Sequence, residues 1–169
     1  RAMFNDARRS GIVASNPFKE LGIERSRGRR DLPSEWLTAA EVDRLAQCAR
    51  EVHSTPGYGD TIAGLLVFAA YTGLRPGELY ALRYDDLGAE TVEVRRAADS
   101  HTRTLALPKN GRARVVVYPV KAREAVERMP RMASIDLVFP ALRGGQLWAS
   151  TFLWVWSPVR AAFGRVIHI

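Results

Sequence analysis

The chain has 169 residues, enough for one good domain or for one domain with part of another, and its 47% hydrophobic content is ample for a core. A net charge of +7 and a pI near 10.2 point to a polyanionic partner. Cys48 is the single cysteine, which excludes an internal disulfide, and no Cys/His cluster has metal-binding spacing.

The basic residues are strongly skewed, with only Lys19, Lys109 and Lys121 as lysines among the 25. Arginine suits phosphate forks, but a GC-rich genome produces the same bias, so the skew carries little weight alone. No signal-peptide pattern is seen, and the longest apolar run is too short to span a bilayer. A soluble, intracellular, basic domain is the expectation.

In chain order, Met3, Phe4 and Ala7 mark one face of a short helix that Gly11 breaks, and Asn16-Pro17 marks a turn. Gly22 to Pro33 is polar and carries Arg25, Arg27, Arg29 and Arg30 close together, which reads as a linker. Thr38 is a good N-cap, and Glu41 three residues later completes a capping box. Val42, Leu45, Ala46 and Ala49 follow at helical spacing. A loop over His53 to Gly59 leads into the almost wholly apolar run Ile62 to Tyr71, long enough for a buried helix.

The octet Thr72-Gly73-Leu74-Arg75-Pro76-Gly77-Glu78-Leu79 follows this run directly. Gly73 is a natural helix stop, and Pro76 suits the first turn of the next helix. Arg75 therefore sits at a helix-to-helix corner, held from both sides, where it presents a guanidinium at a fixed position for bidentate recognition of a phosphate.

Beyond the octet, a short helix from Pro76 to Leu82 ends at an Asp85-Asp86 turn. Thr91 to Arg95, Arg103 to Leu107 and Arg112 to Val117 read as strands, the last two joined by a hairpin at Lys109-Asn110-Gly111. A helix over Lys121 to Met129, with Ala125 and Val126 inward, precedes the apolar segment Leu137 to Pro140. A last helix starts at a Ser150 cap and runs to Phe163, with Pro158 inside it as a potential kink. The class is α+β, mainly α: a helical domain with a small three-stranded antiparallel sheet on one side.

The octet resembles the first catalytic box of the tyrosine recombinases, the phage-integrase family of site-specific DNA recombinases. The resemblance implies that Arg75 contacts the scissile phosphate. Lys109, in the local pattern Lys-x-Gly-x-x-Arg before Val115 to Val117, is similar to the family's hairpin lysine, which protonates the leaving 5′-oxygen. Glu78 stands where the family carries a glutamate, and a supporting role for its helix turn or for Arg75 is expected. Arg103, Arg112 and Arg114 flank the hairpin and are candidates for phosphate contacts, as are Arg27, Arg29 and Arg30 in the linker. His53 and His101 have no suggestive partner, and none of the five tyrosines stands in the context of the family's nucleophile.

The resemblance further implies residues 1–21 as the end of a core-binding domain, 22–35 as an interdomain linker and 36–169 as the N-terminal part of a catalytic domain truncated at its C-terminus. His168 stands where the family's second box begins. The implied parent works on double-stranded DNA as a tetramer on two sites, through a 3′-phosphotyrosine link. It needs no cofactor or metal, takes no small-molecule substrate and no membrane, and resides in the bacterial or phage-infected cytoplasm on DNA. The given residues alone are expected to be inactive, with apolar surface left around Trp148, Trp154 and Trp156. The alternative is a non-catalytic DNA-binding prophage remnant or regulator; a third, generic reading is a basic domain binding RNA or protein.

Overall fold

The computed structural model describes residues 2–16, 36–108, 111–165 and 167. The chain divides into two compact units, Arg1–Glu35 and Trp36–Ile169. In the first unit, helix α1 (Ala2–Arg9) ends on Arg8 and Arg9, cations placed where the helix dipole favours them. Gly11 follows in the left-handed region, and Asn16 then donates from Nδ2 to Oδ1 of Asn5 at 2.7 Å.

In the second unit, α2 (Ala39–Val52) opens with the expected capping box. The Glu41 amide donates to Thr38 Oγ1, and Glu41 Oε2 accepts the Thr38 amide at 2.8 Å. Val42, Leu45, Ala46 and Ala49 are all buried. Helix α3 (Tyr58–Thr72) is buried on nearly every side along Tyr58 to Phe68, as an apolar run without a polar face must be. Helix α2 packs along it, as does α5 (Val120–Glu127), which turns Ala122 and Val126 inward.

Helix α6 (Ala149–Phe163) packs on α2, and its end is tied down there. Arg165 donates to Glu41 Oε1 at 2.7 Å, and Arg44 donates to the Phe163 carbonyl while lying over the Phe163 ring. This helix differs from expectation in two ways. Its first residue is Ala149, and the cap comes from outside the helix, because the Ala149 amide donates to Ser100 Oγ at 3.0 Å. Trp156 is buried and stacked on Phe152, and Trp148 lies partly buried under the Arg103 guanidinium. On this helix, Trp154, 84% exposed, and its neighbour Leu153 are the large hydrophobic residues left exposed.

Among the described residues, two two-stranded antiparallel sheets stand in place of the expected three-stranded one. Strand β1 (Thr91–Val94) pairs with β4 (Arg114–Val117), from Thr91 opposite Val117 to Val94 opposite Arg114. Strand β2 (Ala97–Asp99) pairs with β3 (Thr104–Ala106). The two predicted strands that flank Lys109 thus take their partners from the chain that precedes them. Ala-Ala-Asp has weak strand preference and no apolar alternation, so β2 left no signal. Its turn is built by Asp99, whose Oδ1 accepts the His101 amide at 2.8 Å. Gly111, at a φ of 67°, donates its amide to the Pro108 carbonyl at 2.7 Å, but the hairpin that Asn-Gly predicts is not formed, because β3 and β4 do not pair with each other among the described residues. Between α4 (Pro76–Tyr80) and β1, a 3-10 turn spans Tyr84–Asp86. Among the described residues no helix is long and apolar enough to cross a membrane.

Candidate functional site

The corner between α3 and α4 is built from local interactions. Thr72 Oγ1 donates back to the Phe68 carbonyl at 2.7 Å, and Gly73, at a φ of 64°, donates its amide to Ala69. Leu74 is buried and pegs the turn to the core. Arg75 is extended and occupies the N-cap position of α4, with Pro76 behind it in the first turn. The Arg75 amide donates to Glu78 Oε2 at 2.9 Å. The backbone of Arg75 is therefore fixed on both sides, while its side chain is 51% exposed.

Gly77 lets a second element approach this corner. A Cβ there would stand 2.8 Å from the Ala98 carbonyl oxygen, so the backbone of β2 rests directly on the first turn of α4. We expect Gly77→Ala to cost about 1–3 kcal/mol, the usual penalty of overpacking. Thermal melts of the variant check this, and an unchanged midpoint would mean that β2 yields freely.

Glu78 is the electrostatic centre of the corner. Its side chain is only 1% exposed. The Arg114 guanidinium meets it as a two-pronged fork, with Nη1 donating to Oε1 at 2.6 Å and Nη2 to Oε2 at 2.7 Å. Arg75 Nη1 reaches Oε1 at the longer distance of 3.5 Å. Burial alone pushes the carboxyl pKa up; the Arg114 fork, the Arg75 amide and both positive charges outweigh burial and hold it below the usual carboxylate value. Glu78 is thus ionised at neutral pH, with two guanidiniums on one carboxylate.

The other expected site residues lie as follows. Arg112 is exposed. Arg103 adopts a φ of 55° in the β2–β3 turn and lies over the Trp148 ring at 5.4 Å, with Nη2 at 3.5 Å from Ser150 Oγ. Lys109, Arg27, Arg29, Arg30 and His168 lie outside the described residues.

The five tyrosines lie in packing contacts. Tyr58 packs against His53, Tyr80 against Phe152 and Tyr118 against Phe68. Tyr84 lies under the Arg131 guanidinium, and Tyr71 is partly buried against the core. Burial raises the Tyr118 hydroxyl to about 12 and the Tyr80 hydroxyl still further.

Sequence reasoning missed a second buried carboxylate. Asp86 accepts the Arg83 amide at 2.9 Å and an Arg96 guanidinium bond at 2.9 Å, tying the turn after α4 to the end of β1. Among the described residues no group of His, Cys, Asp and Glu could hold a metal ion.

No family model matches the chain. Its sequence is similar to the putative defective protein IntQ of Escherichia coli (strain K12), 27% identical over 146 residues, which is 82% of this chain and 34% of IntQ. Its structure is similar to that of the Tn1549 transposon integrase in complex with a circular intermediate DNA, with a TM-score of 0.68 and 17% identity over 96% of this chain and 55% of that one. A lambda integrase dimer bound to a COC′ core site matches with a TM-score of 0.60 and 18% identity, over 98% of this chain and 55% of that one. XerA recombinase matches with a TM-score of 0.55 and 19% identity, over 79% of this chain and 45% of that one. The chain thus spans about a third of IntQ and about half of these solved structures, and the structural matches establish its fold as that of recombinases and integrases.

Proposed function

We propose that this chain is a stretch of a tyrosine recombinase, the family whose fold it carries, and that it serves site-specific recombination of double-stranded DNA. In this reading residues 1–21 end a core-binding domain, 22–35 cross DNA as a linker, and 36–169 form the front of the catalytic domain. One observation carries the reading: Arg75 combines a fixed backbone with a half-exposed guanidinium at the head of the octet.

A phosphodiester under attack needs its non-bridging oxygens neutralised, its leaving oxygen protonated and its nucleophile supplied. Arg75 provides the first. Lys109, in the segment between β3 and β4, provides the proton for the 5′-oxygen. The nucleophilic tyrosine, which forms the 3′-phosphotyrosine link, comes from outside these residues, since the tyrosines here are engaged in packing. The link keeps the bond energy, so strand exchange needs no ATP, and two DNA sites call for a tetramer of the whole protein, acting on DNA in the cytoplasm. Arg112 and the linker arginines add phosphate contacts that hold register without reading sequence.

IntQ carries the description of a putative defective protein, which favours a second reading, a DNA-binding remnant without catalysis. Both readings require duplex binding, and both make these 169 residues inert in cleavage on their own.

Titration of the chain with duplex DNA at rising salt tests the reading. Affinity is expected to fall steeply, with a log–log slope of about −0.9 for each phosphate contact. No covalent adduct is expected on denaturing gels. Salt-independent or absent binding would overturn the DNA assignment, and an adduct would overturn the claim that the tyrosine lies elsewhere. In the whole protein, cleavage separates the enzyme from the remnant.

A further inference from the structure

Two guanidiniums meet one buried carboxylate at the α3–α4 corner, and they hold it unequally. Arg114 spans both Glu78 oxygens at 2.6 and 2.7 Å, whereas Arg75 touches one of them at 3.5 Å. A carboxylate with a side chain only 1% exposed cannot be left without a cation. Here the Arg114 fork meets that need, the Arg75 amide takes one further lone pair, and the Arg75 guanidinium is left half free.

We propose that Arg114 is a positioning residue: by occupying Glu78 it leaves the Arg75 guanidinium facing outward for a phosphate instead of folding back onto the carboxylate. The inference deepens the reading of Arg75 as a phosphate ligand and rests on it. It gives Arg114 a different task from the direct phosphate contact that its place beside the hairpin suggests. The placement of β4 serves the task, because Arg114 opens that strand directly opposite Val94, the last residue of β1.

The consequence is a reciprocal pair of variants. In Arg114→Gln, Glu78 loses its strong partner and the nearest remaining cation is Arg75, which is drawn inward. In the double variant Glu78→Gln/Arg114→Gln no buried charge is left to draw it. The amide side chain that replaces Glu78 still offers a carbonyl to the Arg75 amide, and the Arg75 guanidinium returns to solvent. A direct phosphate ligand would show no such rescue.

The test is phenylglyoxal labelling of Arg75 in the 169-residue chain, followed by peptide mass mapping, with circular dichroism as the check on folding. Labelling in Arg114→Gln is expected to slow by about tenfold, the equivalent of one charge-assisted hydrogen bond gained by Arg75. The double variant is expected to regain the wild-type rate. If Arg114→Gln does not fold, Arg114→Lys carries the same test, because an ammonium cannot fork across both oxygens, and slower labelling is again expected. Wild-type labelling in the single variant, or no recovery in a folded double variant, overturns the proposal. A separate arm adds duplex DNA to the wild-type chain. Failure of DNA to protect Arg75 would overturn the phosphate reading, whatever Arg114 does to the labelling rate.

Discussion

Arg75→Ala is expected to slow strand cleavage by about a thousandfold in a recombinase carrying this segment, the upper range for removing one preorganised donor to a developing oxyanion. Duplex affinity should change by no more than about threefold, because a single phosphate contact is a small part of a many-contact electrostatic term. Stability should hardly change, since the side chain is half exposed and Arg114 still covers Glu78. Arg75→Lys should recover only part of the rate, because a point charge on a flexible stem does not reproduce a planar fork. Cleavage of a nicked suicide duplex, read beside a gel shift, makes the measurement. Cleavage within about tenfold of wild type would remove Arg75 from the chemistry, since that loss is smaller than the usual cost of deleting an oxyanion donor.

The parts of the fold that were legible in the sequence are those whose partners lie within four residues. Thr38 with Glu41, Gly73 ending α3 and Pro76 opening α4 each act across one helical turn, and spacing displays such interactions directly. The buried α3 was legible because ten residues without a charge have one stable place to go.

What was hidden depends on contacts far apart in the chain. Nothing near Arg114 announces Glu78, and nothing near Ala149 announces Ser100 as its cap. Strand β2 exists because Gly77 admits its backbone, a condition that Ala97 to Asp99 do not carry themselves. Placing Trp154 and Trp156 on one surface overlooked helix geometry. Residues two apart on a helix point to opposite sides, so one of the pair faces the core when the other faces water.

The largest stability effect expected is at Phe68, and its position explains why the corner depends on it. Phe68 is fully buried near the C-terminal end of α3, with its ring edge-on to Phe139 at 5.3 Å and tilted against Tyr118 at 5.6 Å. Tyr118 directly follows β4, and Phe139 lies beyond the bridge between Arg83 and Leu137. One ring thus joins the last turn before the octet to the exit of the strand that carries Arg114. Its own carbonyl accepts the Thr72 hydroxyl that closes the turn. Phe68→Ala should cost about 3–5 kcal/mol, the range for emptying an aromatic site in a packed core. A loss of that size takes up much of the stability of an ordinary domain. Phe68→Leu, which keeps most of the volume, should cost less than about half as much. Urea melts of the two variants against wild type decide the matter. A Phe68→Ala midpoint equal to that of wild type would mean that the ring does not join these elements. The contrast with Arg75→Ala is the sharper result. An activity lost without stability marks a residue that acts on the substrate, whereas Phe68→Ala is expected to lose both together, because the same ring that fills the core also fixes where the guanidinium stands.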